Sequence, residues 1–97
     1  MNDLKLGQVV RSTAGRDKGI LFLIIQKVDD DFFKVCDGDL RRVDNAKLKN
    51  KKHLAKINHV ISELKERLEK SQRVSDAEIR RYLEGYRNKI LKKNGGI

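Results

Sequence analysis

Ninety-seven residues make one small domain and leave no room for a second independent core, which excludes multi-domain enzymes. Apolar and charged residues each account for 38% of the chain, so a modest core under a heavily solvated surface is expected. Lys and Arg number 23 against 14 Asp and Glu, and the resulting net charge of +9 is the footprint of a partner of polyanions, nucleic acid first and anionic membrane second.

The positive excess is uneven. Residues 1–50 hold 10 basic and 8 acidic side chains, whereas residues 51–97 hold 13 and 6. The single cysteine, Cys36, has no internal disulfide partner, and no basic-then-apolar segment precedes Gly7, so a cytoplasmic protein is expected. The longest apolar run, Ile20 to Ile25, is six residues, far short of the roughly 20 that a membrane-spanning helix needs. It reads as a buried strand.

In chain order, Gly7, Gly15, Gly19 and Gly38 bracket runs rich in Val, Ile, Leu and Phe, which predicts a small curled sheet with strands near 8–12, 20–28, 32–36 and 40–44. Asp29-Asp30-Asp31 forms an exposed turn between the second and third strands, and Asp37-Gly38 a tight hairpin between the last two. The second strand is apolar on both faces: Ile20, Phe22 and Ile24 point one way, Leu21, Leu23 and Ile25 the other. One face fills the sheet interior and the other needs a cover, which only the C-terminal half can supply. There Leu54, Ile57, Val60, Ile61, Leu64 and Leu68 recur at three- and four-residue spacing, predicting a first amphipathic helix with Glu63–Arg67 and Glu66–Lys70 pairs on its surface. Val74-Ser75-Asp76-Ala77-Glu78-Ile79 then reads as a capping box with a hydrophobic staple. It opens a second helix with Ile79, Tyr82, Leu83, Tyr86 and Ile90 on one stripe, Lys92 and Lys93 near its negative end, and Gly95 as its stop. Covering the sheet is the favoured role of these helices, and a groove for a partner helix is the alternative.

Three basic segments are candidate binding sites. The first is the glycine-hinged loop after the first strand, where Arg11, Arg16 and Lys18 accompany the hydroxyls of Ser12 and Thr13, all suited to phosphate oxygens. It is not a nucleotide P-loop, since Gly15 and Gly19 stand four apart with no Gly-Lys-Ser or Gly-Lys-Thr following. A charged loop without a ligand is the plain alternative. The second is Arg41-Arg42, of which only one side chain is expected to share a surface with that loop, because adjacent strand residues project to opposite faces; local pairing with Asp39 or Asp44 competes. The third lies within residues 45–62, where Lys47, Lys49, Lys51, Lys52 and Lys56 stand with no carboxylate among them, together with His53. A solvated charged face is the alternative there.

The pattern of Gly7, Val9, Gly15, Lys18 and Gly19 before an aliphatic strand resembles the KOW motif of ribosomal proteins and NusG-type transcription factors, with Phe22 where many KOW motifs carry a further glycine. Ala14-Gly15-Arg16-Asp17-Lys18-Gly19 with the later Asp37-Gly38-Asp39-Leu40-Arg41-Arg42-Val43 resembles more closely the ribosomal protein L14e-like group and its small bacterial KOW-domain relatives, over roughly residues 4 to 56. The resemblance implies an SH3-like β-barrel that binds RNA, often ribosomal RNA. The expected architecture is therefore mainly β plus α: a KOW barrel over residues 1–50, followed by two C-terminal amphipathic helices over residues 51–97 packed on it.

Phe32, Phe33, Tyr82 and Tyr86 are expected in the core rather than as base-stacking platforms. Cys36, His53 and His59 lack metal-ligand spacing, and no nucleophile–base grouping is visible, so no metal, cofactor, small-molecule substrate or enzymatic activity is expected. The reading is a ribosome-associated RNA-binding protein of the cytoplasm, without membrane contact, that grips phosphates of structured RNA through Arg11, Ser12, Arg16, Lys18, Arg41, Arg42, Lys47, Lys49, Lys51, Lys52, His53 and Lys56. A protein-interaction module docking on the transcription or translation machinery is the alternative, and the oligomeric state is open.

Overall fold

The computed structural model describes residues 4–95, with side chains through residue 91. Five strands, β1 (Gln8–Ser12), β2 (Leu21–Lys27), β3 (Phe32–Cys36), β4 (Lys47–Asn50) and β5 (Leu54–Val60), precede two helices, α1 (Ser62–Glu69) and α2 (Asp76–Gly95). The strands form one antiparallel sheet in the order β4-β3-β2-β1-β5, and it is not closed: β4 and β5 are its two edges. No helix among the described residues is long and apolar enough to cross a membrane.

The two-faced second strand organises the core as its alternation predicts. Phe22 and Ile24 join Leu4, Val10, Phe33, Val35 and Leu54 on one side of the sheet, while Leu23 joins Val9 and Cys36 under Leu64, Val74, Ile79 and Leu83 from the helices on the other. The helices therefore cover the sheet, with Tyr82 and Tyr86 packed against the second cluster. Phe33 is buried and Phe32 half-buried. Burial pushes the Cys36 thiol up to about 12, helped by the nearby Asp37 and Asp76 carboxylates, so it stays protonated.

Two elements differ from the sequence expectation. Residues 40–44 are not a strand. Asp37 Oδ1 accepts from the Asp39 and Arg41 amides at 3.0 and 2.8 Å, a 3-10 turn spans Val43–Asn45, and the chain rejoins the sheet only at β4, where Lys47 pairs with Val35 and Lys49 with Phe33. Asp37-Gly38 is thus the start of a longer connection, not a tight hairpin. Residues 54–60 are a strand, not helix. Val9 and Val10 of β1 are fully buried, so their free edge would strand backbone amides and carbonyls, and β5 supplies the partners. Gln8 adds a side-chain bond from Nε2 to the Ile57 carbonyl at 2.6 Å. The sheet accordingly runs to Val60, and the helical part begins at Ser62 instead of residue 51.

The helix boundary at Ser75 is as expected: the Ser75 hydroxyl accepts from the Glu78 amide at 3.2 Å and Glu78 Oε1 accepts from the Ser75 amide at 3.1 Å. The Glu66–Lys70 pair forms at 2.9 Å, but Arg67 turns away from Glu63 and holds Glu78 on α2 instead. The Arg67 guanidinium lowers the Glu78 carboxyl to about 2, with the Ser75 amide adding to the effect. Lys92 and Lys93, expected near the end of α2, have side chains outside the described residues. The helix is described through Gly95.

Gly38 sets how closely α2 approaches the β3–β4 connection. Its φ is +78°, and a Cβ there would lie 2.5 Å from the Asp76 carbonyl oxygen. Arg80 donates to the Gly38 carbonyl, and Asp76 Oδ1 accepts from the Val43 amide at 2.7 Å, so the contact is tied on both sides. Gly38→Ala is expected to destabilise the protein by about 2–3 kcal/mol, read as a lower urea midpoint, because it combines left-handed backbone with a collision against backbone. An unchanged midpoint would mean that α2 does not rest on this glycine.

Candidate nucleic-acid interface

The β1–β2 connection leaves the sheet at Ser12 and returns at Leu21. Gly15 and Gly19, with φ of +85° and +91°, allow its reversals, which are closed by Gly19 N–H to the Ser12 carbonyl at 2.8 Å and Lys18 N–H to the Gly15 carbonyl at 3.2 Å. Its tip presents Arg16 and Lys18 to solvent, whereas Asp17 between them turns inward, its side chain 14% exposed.

Asp17 is the centre of a buried ionic network. Oδ1 accepts from the Ser12 hydroxyl at 2.5 Å and from Lys49 Nζ at 2.9 Å, and Oδ2 pairs with Lys47 Nζ at 2.9 Å. Lys49 Nζ also donates to the Ala14 carbonyl at 3.0 Å. Burial by itself raises the Asp17 carboxyl, but the bonds from Ser12, Lys47 and Lys49 outweigh it and hold the group well below the usual carboxylate range. This network straps the loop onto β4. Thr13 N–H donates to the His53 carbonyl at 2.9 Å, so the same loop is also fixed to the 3-10 turn Lys51–His53 that joins β4 to β5.

Two of the twelve sequence-derived residues turn inward. Lys49 is 6% exposed and Ser12 1% exposed, and their polar atoms are engaged by Asp17 and Ala14, so they hold the loop on the sheet. Lys47 is half-buried, with its ammonium on Asp17. Arg16, Arg41 and Lys47 line one open cleft, of about 230 Å³, with Asp17, Ile20, Phe22 and Leu40. Arg41 shares a surface with the first loop, while Arg42 is exposed before the 3-10 turn and does not line the cleft; strand alternation is not the cause, since residues 40–44 are not a strand.

Lys51, Lys52 and His53 occupy the β4–β5 corner. Lys52 and His53 are exposed, and Lys51 pairs loosely with Asp31 at 3.5 Å while its amide donates to the Asp31 carbonyl at 2.7 Å. Lys56 is exposed on β5, opposite Val10. Arg11 is not brought to this surface. It lines a groove with Leu21, Tyr86, Arg87, Ile90 and Leu91, between the sheet and α2.

Sequence reasoning missed Asp17 as organiser and Leu40 as part of the cleft. The available signal was a lone carboxylate between Arg16 and Lys18, since an acid there either cancels charge or turns in to be paired. Among the described residues no three His, Cys, Asp or Glu side chains converge to hold a metal ion. No family model and no curated protein matches the chain.

Proposed function

We propose that this chain is a non-catalytic RNA-binding protein of the KOW type, acting in the cytoplasm in association with the ribosome. One observation carries the reading: the two basic segments separated by some thirty residues of sequence are knit into one surface, through Asp17 to Lys47 and Lys49 and through Thr13 to His53. Arg16, Lys18, Arg41, Lys51 and Lys52 surround that junction, and a cation cluster on a fixed backbone neutralises phosphates with little reorganisation. The sheet order also supports an SH3-like barrel. A single 3-10 turn carries the chain from edge strand β4 to edge strand β5, which requires the sheet to curl round its Phe22 core.

The test is salt dependence. With four to six phosphates engaged, log affinity for a structured ribosomal RNA fragment falls against log salt with a slope of about −3 to −5. A slope near zero overturns the reading. A second reading, docking on a protein of the transcription or translation machinery, is favoured by the groove beside α2, where Ile90 and Leu91 are exposed between Arg11 and Arg87. It predicts complex formation that survives nuclease treatment and is lost on Leu91→Asp.

A further inference from the structure

We propose that the cleft between the β1–β2 loop and the β3–β4 connection receives a single nucleobase extruded from a bulge or loop of the bound RNA, an inference that rests on the RNA-binding reading and narrows its substrate. The cleft has two unlike parts. Its apolar part is the half-buried Ile20, lying over the fully buried Phe22, with Leu40, 68% exposed, beside it. Its rim is cationic through Arg16 and Arg41, since the Asp17 carboxylate on the same cleft is already occupied by Lys47 and Lys49. An apolar wall disfavours a bare phosphate, and cationic neighbours favour a group that also carries negative charge. An unpaired nucleotide satisfies both, with its flat base on Leu40 and Ile20 and its phosphates against the rim. Guanidinium planes of Arg16 and Arg41 are suited to stack on a base face as well as to pair with phosphate. The open cleft of about 230 Å³ has room for one base, and an unpaired base is free to turn into it whereas a base in a continuous duplex is held in the stack.

The experiment compares an RNA hairpin carrying one unpaired nucleotide with the same hairpin fully paired, at one salt concentration, for the natural protein and for Leu40→Asp. The natural protein is expected to prefer the bulged hairpin by about tenfold or more, the contribution of one stacked base. Leu40→Asp, exposed and outside both cores, is expected to bring that preference to about onefold while binding of the paired hairpin falls far less. Equal binding of both hairpins by the natural protein, or a preference that survives Leu40→Asp, overturns the inference and leaves the RNA reading standing. Failure to bind either hairpin overturns both. Adenosine monophosphate is the third probe: if it binds alone as tightly as the bulged hairpin, the occupant is a free nucleotide and the RNA assignment of the cleft is overturned.

Discussion

Asp17→Asn is expected to lower the stability of the protein by about 3–5 kcal/mol, the cost of leaving one member of a buried ion pair without its partner. Lys49 is 6% exposed and its ammonium reaches only Asp17 and the Ala14 carbonyl, so removing the carboxylate charge leaves a buried cation with neutral acceptors and no counter-charge. A domain of this size has roughly 5–10 kcal/mol in total, so the variant should lose about a third or more of its stability and show a sharply reduced urea midpoint. The double variant Asp17→Asn, Lys49→Met should recover much of the loss, because an apolar chain in place of the buried ammonium needs no counter-charge. A loss below about 1 kcal/mol in the single variant would show that Lys49 escapes to solvent and that the network is dispensable. The pH dependence has a definite sign. Asp17 is depressed in the folded protein from its ordinary value of 3.8, so its contribution is complete above that value and is lost as pH falls below it. Stability attributable to this group is therefore flat from neutrality to about pH 5 and declines below about pH 4, and the decline should be smaller in Asp17→Asn.

The same network explains which parts of the fold could be read from sequence. Strands β1 to β3 follow the rule that apolar side chains alternate toward a core, and Val10, Phe22 and Val35 obey it. Strand β4 inverts the rule: Leu48 is 51% exposed while Lys49, next to it, points inward. Hydrophobicity assigns that face wrongly because the counter-charge for Lys49 comes from a loop 32 residues earlier in sequence. Strand β5 was hidden differently. Leu54, Ile57, Val60 and Ile61 share a spacing with Leu64 and Leu68 that fits one helix, yet Leu54 enters one core and Ile57 packs on the other. The unpaired edge of β1, a tertiary demand, overrides the pattern. The Ser75 capping box was legible because every bond in it is local. At the site the rule is the same: Arg16, Lys18 and Arg41 could be picked out by type and position, whereas the withdrawal of Ser12 and Lys49 depends on partners fixed only by folding.

Reversing four exposed or half-exposed charges of the proposed interface, Arg16, Lys18, Lys51 and Lys52 to Glu, is expected to weaken RNA binding by at least about 100-fold and to reduce the steepness of the salt dependence by about 3–4. Asp17, Lys47 and Lys49 are untouched in this variant, so the strap between loop and β4 persists and the urea midpoint should move little; Lys51 gives up only an exposed pair with Asp31 at 3.5 Å. Loss of binding alone does not localise the site, because the net charge of +9 drops by eight units and any polyanion would be held less well. The control is an equal reversal elsewhere. Arg11, Arg81, Arg87 and Lys89 are exposed on other parts of the molecule, and Arg11 and Arg87 flank the groove beside α2. Changing these four to Glu removes the same charge without touching the junction of the β1–β2 loop with the β4–β5 corner. If binding depends on placed phosphate contacts, the control loses about tenfold or less, through the weakened long-range field, and keeps its salt slope. Equal losses in the two variants would reduce the interaction to overall charge, and a larger loss in the control would move the interface to the helical side of the sheet.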